Sequence, residues 1–304
     1  MLASAIDSSS QGCIILIFHN EAILMNNKKI KDNLSKNAIY ILPNLFTTAS
    51  LMTGFSSILL ALEGRYASAA VLIFISMVLD GMDGRVARWT NTQSSFGEQY
   101  DSLADMVAFG VAPAILVYMW SFQGLGEVSK VIGIGWFASF VYLACAALRL
   151  ARFNVQIGSV DKRYFVGLPS PTAAAIVAGA VWAGEVGIKK IATAFGADLS
   201  YTGHDLTGLM VIITLYAGLM MVSNFLFYSF KTLEIKKVRF TALIIVVIYA
   251  GMLISSPPIV LFLTAFIYGL SAPIQYIYRR QTRKKRMLAL QAKRSERHDE
   301  RHES

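Results

Sequence analysis

Long apolar runs alternate with short charged connections along most of this chain. Hydrophobic residues make up 55% of the sequence and charged residues only 15%, a composition typical of an integral membrane protein. A run of about 18 apolar residues or more is long enough to cross a bilayer as a helix. Eight such runs occur, at residues 43–63, 66–84, 101–123, 131–152, 170–190, 206–229, 238–256 and 258–278. They predict an all-α fold, a polytopic membrane bundle of about eight transmembrane helices.

No internal repeat and no Gly/Ser-rich linker divides this apolar region, so we expect one transmembrane domain at 43–280. Residues 1–42 are predicted to be an N-terminal extension that includes an interfacial amphipathic helix. Within it, Met25 precedes the basic stretch NNKKIKDNLSKNAIY, and we hypothesise that Met25 is an alternative start. Residues 281–304 are predicted to form a basic cytoplasmic tail, whose Lys and Arg side chains favour anionic lipid.

Lys and Arg concentrate in alternate connections, as the positive-inside rule describes for cytoplasmic loops. These residues are Lys28, Lys29, Lys31, Lys36, Arg85, Arg88, Arg152, Lys162, Arg163, Lys231, Lys236, Lys237 and Arg239. An even number of spans then places both termini on the cytoplasmic side, and we expect the chain in the inner membrane of the cell. The net charge of +9 is explained by this topology, and because no nucleic-acid-binding motif accompanies it, no nucleic-acid partner is expected.

Four aspartates interrupt the apolar pattern around the second and third predicted spans. Carboxylates at membrane depth are costly unless they bind something positive. The two stretches place small residues beside the acids at helical spacing, so each acidic pair shares one helix face. The two faces are formed by Asp80, Asp83, Gly84, Ala87 and Arg88, and by Gly97, Asp101, Ala104, Asp105 and Ala108. If the two helices pack as an antiparallel pair, the four carboxylates converge at the inner membrane boundary.

Four converging carboxylates repel one another unless a cation holds them together. An oxygen-only ligand set favours Mg²⁺ or Mn²⁺ over zinc, and Mg²⁺ commonly completes its shell with phosphate oxygens. Two such ions suit phosphoryl transfer, because they clamp the attacking and the leaving oxygen. The alternative interpretation is that the acids are solvated residues at a helix boundary, balanced by Arg85 and Arg88. A divalent-cation transporter is a further alternative.

The acidic stretch resembles a known motif over its full length. The pattern Asp80-x-x-Asp83-Gly84-x-x-Ala87-Arg88, followed after eight residues by Gly97-x-x-x-Asp101-x-x-x-Asp105, is similar to the motif of the CDP-alcohol phosphatidyltransferase family. Further segments resemble the phosphatidylserine synthase branch of that family. They are LPNLFT at 42–47, RLARFN at 149–154, FVGLPSP at 165–171 and MVSNFLFYSFK at 221–231.

The resemblance implies transfer of a phosphatidyl group from CDP-diacylglycerol to L-serine, with release of CMP. It implies that Asp80, Asp83 and Asp101 hold one metal ion, that Asp80, Asp101 and Asp105 surround a second, and that Asp105 is also the general base. It further implies a homodimer. The positions that it assigns to binding of CDP-diacylglycerol are Asn44, Thr47, Gly84, Arg88 and Ser94.

Serine recognition requires a cation for the carboxylate of the amino acid. Arg149 and Arg152, with Asn154 beside them, are the best-placed candidates, although ordinary anchoring at the inner membrane face explains both arginines equally well. Asn224 lies in the predicted sixth span, where a hydrogen bond between helices or a substrate contact would account for it. An acceptor such as glycerol 3-phosphate or an inositol phosphate is the alternative, and it would favour a denser cationic pocket.

Overall fold

Helices make up nearly all of the regular structure in the described part of this chain. The computed structural model describes residues 44–90, 92, 94–123, 133–156, 164–194, 202–228, 240–278 and 280. The helices are α1 (Asn44–Leu62), α2 (Tyr66–Thr90), α3 (Ser95–Phe122), α4 (Ile134–Gln156), α5 (Ser170–Ala194), α6 (Gly203–Val222, beginning with a 3₁₀ turn), α7 (Phe240–Ser255) and α8 (Pro257–Tyr278). The predicted N-terminal extension and basic tail lie outside the described residues.

Seven of the described helices are long and apolar enough to cross a membrane, namely all except α7. The all-α, multi-pass fold predicted from hydropathy is therefore confirmed. The exception falls in the predicted span 238–256, where α7 has 16 residues. At a rise of about 1.5 Å per residue it is about 24 Å long, shorter than the hydrocarbon core of about 30 Å. This part of the prediction is only partly met by the described residues.

The most extensively buried of the seven long apolar helices are α5 and α3. In their apolar stretches, 67% and 50% of the residues are buried inside the protein. Small side chains let neighbouring helices come close to them, as is common in membrane bundles. A Cβ atom added at Gly54 of α1 would lie 2.8 Å from the Cα of Ala108 in α3. A Cβ at Gly218 of α6 would lie 3.1 Å from the Cα of Tyr142 in α4. Close backbone contact thus fixes α1 against α3 and α4 against α6.

Helices α3 and α5 contain π-helical turns as well as regular α-helix. The turns are Met106–Val111 and Tyr118–Phe122 in α3, and Ala183–Gly187 in α5. Such turns insert an extra residue into the helical repeat and occur often near functional sites. The first begins directly after Asp105, so the periodicity of a regular α-helix holds for the acidic pair but not for the residues that follow it.

The only strands among the described residues are β1 (Tyr164–Val166) and β2 (Leu226–Tyr228), which pair antiparallel with Phe165 opposite Phe227. This pairing corrects the sixth predicted span. We expected a helix over 206–229, but α6 ends at Val222 and Asn224 lies beyond its end. The backbone of 226–228 obtains its hydrogen bonds from β1 instead of from a further helical turn, which satisfies the requirement that backbone groups near lipid be paired.

Candidate active site

Helices α2 and α3 bring the four aspartates together, as the sequence predicts. One carboxylate oxygen from each of Asp80, Asp101 and Asp105 lies within 4.8 Å of the others. Asp80 is within hydrogen-bond reach of both Asp101 and Asp105, and Asp83 is within reach of Asp101. The hydroxyl of Thr47 in α1 donates a hydrogen bond of 2.7 Å to Oδ2 of Asp83. The site is thus an acidic cluster between two helices, supported by a third.

The cluster fits a divalent cation. Oδ1 of Asp101 and Oδ1 of Asp105 are both buried, and neither has a hydrogen-bond partner within the described residues. A buried carboxylate oxygen without a partner is costly, and a bound cation would remove that cost. All donors are carboxylate oxygens, the ligand type that Mg²⁺ and Mn²⁺ prefer. The geometry therefore supports the predicted metal site without selecting between the two ions.

Local sequence explains why the acidic faces meet. Helix α2 continues to Thr90, beyond the predicted end of its span at residue 84. Ser94 then caps α3, because its side-chain oxygen accepts a hydrogen bond of 3.0 Å from the backbone N–H of Gly97. Only residues 91–94 separate the end of α2 from the start of α3. Asp80 and Asp83 on α2 consequently face Asp101 and Asp105 on α3.

Two of the residues predicted to bind the nucleotide converge at the N-terminal end of α3. A Cβ atom added at Gly97 would lie 3.1 Å from Oγ of Ser94 and 3.5 Å from Oδ1 of Asn44. Asn44 is the first residue of α1, so the ends of α1 and α3 lie side by side. The absence of a side chain at Gly97 permits this close approach.

Gly84 and Arg88 lie on the next turns of α2 after the acidic pair. Within the part of the chain that the structure describes, a Cβ atom at Gly84 would have only Nη1 of Arg88 within 4 Å, at 3.9 Å, so the described residues leave the space beside this glycine open. The side chain of Arg88 is exposed. Thr47 is different, because it is buried and its hydroxyl is directed at Asp83. The structure thus places Thr47 behind a predicted metal ligand.

The three residues predicted to bind serine make different contacts. Arg149 donates a hydrogen bond to Oγ of the fully buried Ser170, and its guanidinium lies 5.6 Å from the ring centroid of Phe153. Its charge is close enough to interact with the carboxylates of Asp80 and Asp105. The charge of Arg149 therefore reaches the acidic cluster.

Asn154 and Arg152 make other contacts. Oδ1 of Asn154 accepts a hydrogen bond of 3.1 Å from the hydroxyl of Ser102, the residue after Asp101. Arg152 instead donates to Oδ1 of Asn224 at 2.8 Å and to the carbonyl of Val222 at 3.4 Å. Asn154 thus lies beside the acidic cluster, whereas Arg152 is directed at the end of α6.

Sequence reasoning missed Ser102 and Ser170. Both lie inside segments that the family resemblance had singled out, Ser102 between the last two aspartates and Ser170 in the loop FVGLPSP. A serine in a helix has no distinctive pattern, so position within those segments was the available signal. Their partners, Asn154 and Arg149, are 52 and 21 residues away along the chain.

Fold and site together define a multi-pass membrane protein with an oxygen-only cation site between two of its helices. The chain belongs to the CDP-alcohol phosphatidyltransferase family, whose sequence profile matches residues 40–202, more than half of its length. This family is dependent on divalent metal ions, in agreement with the acidic cluster.

Individual relatives agree with the family assignment. The CDP-diacylglycerol–serine O-phosphatidyltransferase of Helicobacter pylori is 36% identical over 202 residues, which cover 65% of this chain and 76% of the relative. The protein of the same name from Mycobacterium leprae is 40% identical over 146 residues, 46% of each chain. The archaetidylserine synthase of Methanothermobacter thermautotrophicus is 35% identical over 156 residues, 51% of this chain and 60% of the relative.

Proposed function

We propose that this chain is a CDP-diacylglycerol–serine O-phosphatidyltransferase, which transfers a phosphatidyl group to the hydroxyl of L-serine and releases CMP. The acidic cluster between α2 and α3 carries the proposal, because it supplies the ligands that metal-assisted transfer of a substituted phosphate requires. The relatives named for a serine acceptor favour serine over glycerol 3-phosphate, an inositol phosphate or a transported cation.

In this proposal the four aspartates hold two divalent ions, Mg²⁺ or Mn²⁺. Asp80, Asp83 and Asp101 hold one ion, and Asp80, Asp101 and Asp105 hold the other. When bound, the ions neutralise charge on the pyrophosphate and so make CMP a better leaving group. Thr47 supports the first group, because its hydrogen bond to Asp83 restricts the orientation of that carboxylate.

We assign the role of general base to Asp105. A serine hydroxyl is a poor nucleophile at neutral pH and needs a base within hydrogen-bond reach. Asp105 takes the hydroxyl proton as the serine oxygen bonds to the phosphorus that carries diacylglycerol. The bond from that phosphorus to the oxygen of CMP breaks, and the electron pair leaves with CMP. The place of Asp105 within the acidic cluster, where the reacting phosphate would bind, supports the assignment.

The substrate is bound from both sides of the aspartates in this proposal. Asn44, Gly84, Arg88 and Ser94 contact the CDP part, for which the open space beside Gly84 gives room. On the serine side, Arg149 meets the carboxylate of the amino acid. Its charge lies close to the acidic cluster, where the serine hydroxyl has to react.

In this proposal Asn154 also makes a polar contact to the serine substrate. Its hydrogen bond from Ser102 places it beside the acidic cluster. We further propose a homodimer in the inner membrane, in which the short helix α7 is an eighth span and the termini and the acidic cluster lie on the cytoplasmic side. The distribution of Lys and Arg supports this orientation.

The test is CMP release by purified, detergent-solubilised protein that is given CDP-diacylglycerol and Mg²⁺. L-serine, glycerol 3-phosphate and an inositol phosphate are compared as acceptors. We expect release that serine alone stimulates and that a chelator abolishes. Stimulation by another acceptor would overturn the serine assignment, and an absence of release with every acceptor and either Mg²⁺ or Mn²⁺ would overturn the enzyme assignment.

A further inference from the structure

The C-terminal end of α6 is held by a side chain from α4. Arg152 donates one hydrogen bond to the carbonyl of Val222, the last residue of α6, and a second to Oδ1 of Asn224 just beyond it. The last carbonyls of a helix lack partners within the helix, and its C-terminus carries partial negative charge. A guanidinium is therefore well suited to this position for reasons that do not involve a substrate.

The loop before α5 is hydrogen-bonded to the same end of α6. The N–H of Gly167 donates to the carbonyl of Phe225, and the N–H of Leu168 donates to the carbonyl of Met220, both at 2.9 Å. Gly167 has a φ of +81°, a conformation that favours glycine, and a Cβ atom there would collide with the carbonyl oxygen of Met221. The loop before α5 thus lies directly against the end of α6.

The loop leads back to α4 through Ser170. This serine, three residues after Gly167, is fully buried and accepts a hydrogen bond from Arg149. Arg149 lies one helical turn before Arg152 on α4. The contacts form a closed ring that runs from α4 to the end of α6, then to the loop, and back to α4. The charge of Arg149, a member of this ring, reaches Asp80 and Asp105.

We propose that Arg152 and Asn224 form a latch that positions Arg149 for the acceptor, and that Arg152 itself does not bind the serine carboxylate. This inference rests on the proposed function in taking Arg149 as the serine ligand. It replaces the expectation that both arginines bind serine, and it makes Asn224 a positioning residue. The latch restrains the end of α6, the end of α6 restrains the loop, and the loop holds Ser170 against Arg149.

Two substitutions at one position separate a latch from a direct ligand. Asn224→Asp keeps an acceptor oxygen beside Arg152, whereas Asn224→Leu removes it at similar size. For a latch, we expect Asn224→Asp to leave the KM for serine within about twofold and Asn224→Leu to raise it about tenfold. The KM for CDP-diacylglycerol should stay within about twofold in both variants, because the latch does not touch the nucleotide side.

The opposite pattern would overturn the latch. If Arg152 binds the serine carboxylate, the new carboxylate of Asn224→Asp competes for it, and the KM for serine rises at least as much as in Asn224→Leu. Tyr249→Phe is the matched control, since it removes one hydrogen bond of 3.2 Å between α7 and α8, to Thr264. This control should leave both KM values unchanged.

Thermal unfolding of the same detergent-solubilised proteins tests the latch without any assay of activity. We expect Asn224→Leu to lower the Tm relative to the wild type and Asn224→Asp to retain it. If wild-type protein releases no CMP with serine, the proposed function fails, while this comparison still decides whether the contact between Arg152 and Asn224 holds the end of α6. Identical Tm values for the wild type and both variants would overturn the latch even if the serine activity is present.

Discussion

Replacement of Asp105 by Asn is the most informative perturbation of the acidic cluster. The change keeps the size of the side chain and one oxygen, but it removes the negative charge and the ability to accept a proton from serine. Asp105 lies in contact with Asp80, and its Oδ1 is buried without a partner in the described part of the chain. The substitution therefore removes the proposed general base, which is also a proposed metal ligand, with little change in packing.

The structure gives the expected direction and size of two effects. Loss of a positioned general base typically lowers a rate by about 10²–10⁴-fold, or about 3–5 kcal/mol in the activation barrier. The stability of the metal-free protein, in contrast to the rate, should be kept or increased. Two charged carboxylates whose oxygens lie within 4.8 Å repel by about 3 kcal/mol at an effective dielectric constant of about 20, and proton sharing within the cluster reduces this value. We therefore expect metal-free Asp105→Asn to unfold at the same temperature as metal-free wild type or higher.

The assay is CMP release in detergent at saturating serine, together with binding of CDP-diacylglycerol and thermal unfolding. Asp205→Asn is the matched control, because it makes the same chemical change at the start of α6, where Oδ2 of Asp205 accepts a hydrogen bond of 2.7 Å from the N–H of Thr202. We expect turnover to fall at least about 10²-fold in Asp105→Asn only, with substrate binding retained. Turnover within tenfold of wild type would refute the assignment of Asp105 as the base.

Three further substitutions test the remaining parts of the site. Gly84→Leu fills the open space beside Arg88, so the KM for CDP-diacylglycerol should rise at least about tenfold while that for serine is kept; unchanged values would show that the nucleotide does not approach Gly84. Thr47→Val removes the hydrogen bond to Asp83 and should raise the Mg²⁺ concentration needed for half-maximal activity about tenfold or more, whereas an unchanged Mg²⁺ titration would refute its supporting role. Arg149→Ala should raise the KM for serine at least about tenfold, and an unchanged KM would remove it from the serine site.

The sequence predicted the membrane-spanning helices and the acidic cluster well because both depend on local pattern. Apolar runs report burial in lipid directly, and helical spacing places Asp80 with Asp83, and Asp101 with Asp105, on single faces. The sixth span was predicted too long for the same reason. Residues 226–228 are apolar enough for a helix, and their pairing with a strand about 60 residues earlier in the chain leaves no trace in hydropathy.

The roles of the polar residues around the cluster could be predicted only in part. The sequence placed Arg149, Arg152 and Asn154 on one short segment of α4, and it gave no reason to separate them. Their partners are Ser170, Asn224 and Ser102, which lie on other elements of the fold. Arg149 and Arg152 lie one turn apart on one face of α4, so the packing of the loop before α5 and of the end of α6 decides what each of them meets.

By itself, the sequence determined that this is an all-α membrane protein with four carboxylates at helical spacing, because hydropathy and periodicity are properties of the chain alone. Tertiary structure decided that Thr47 lies behind Asp83, that the charge of Arg149 reaches the aspartates, and that Arg152 holds the end of α6. These relations join residues far apart in sequence. They arise only when close-packed helices and one pair of short strands fix which side chains face each other.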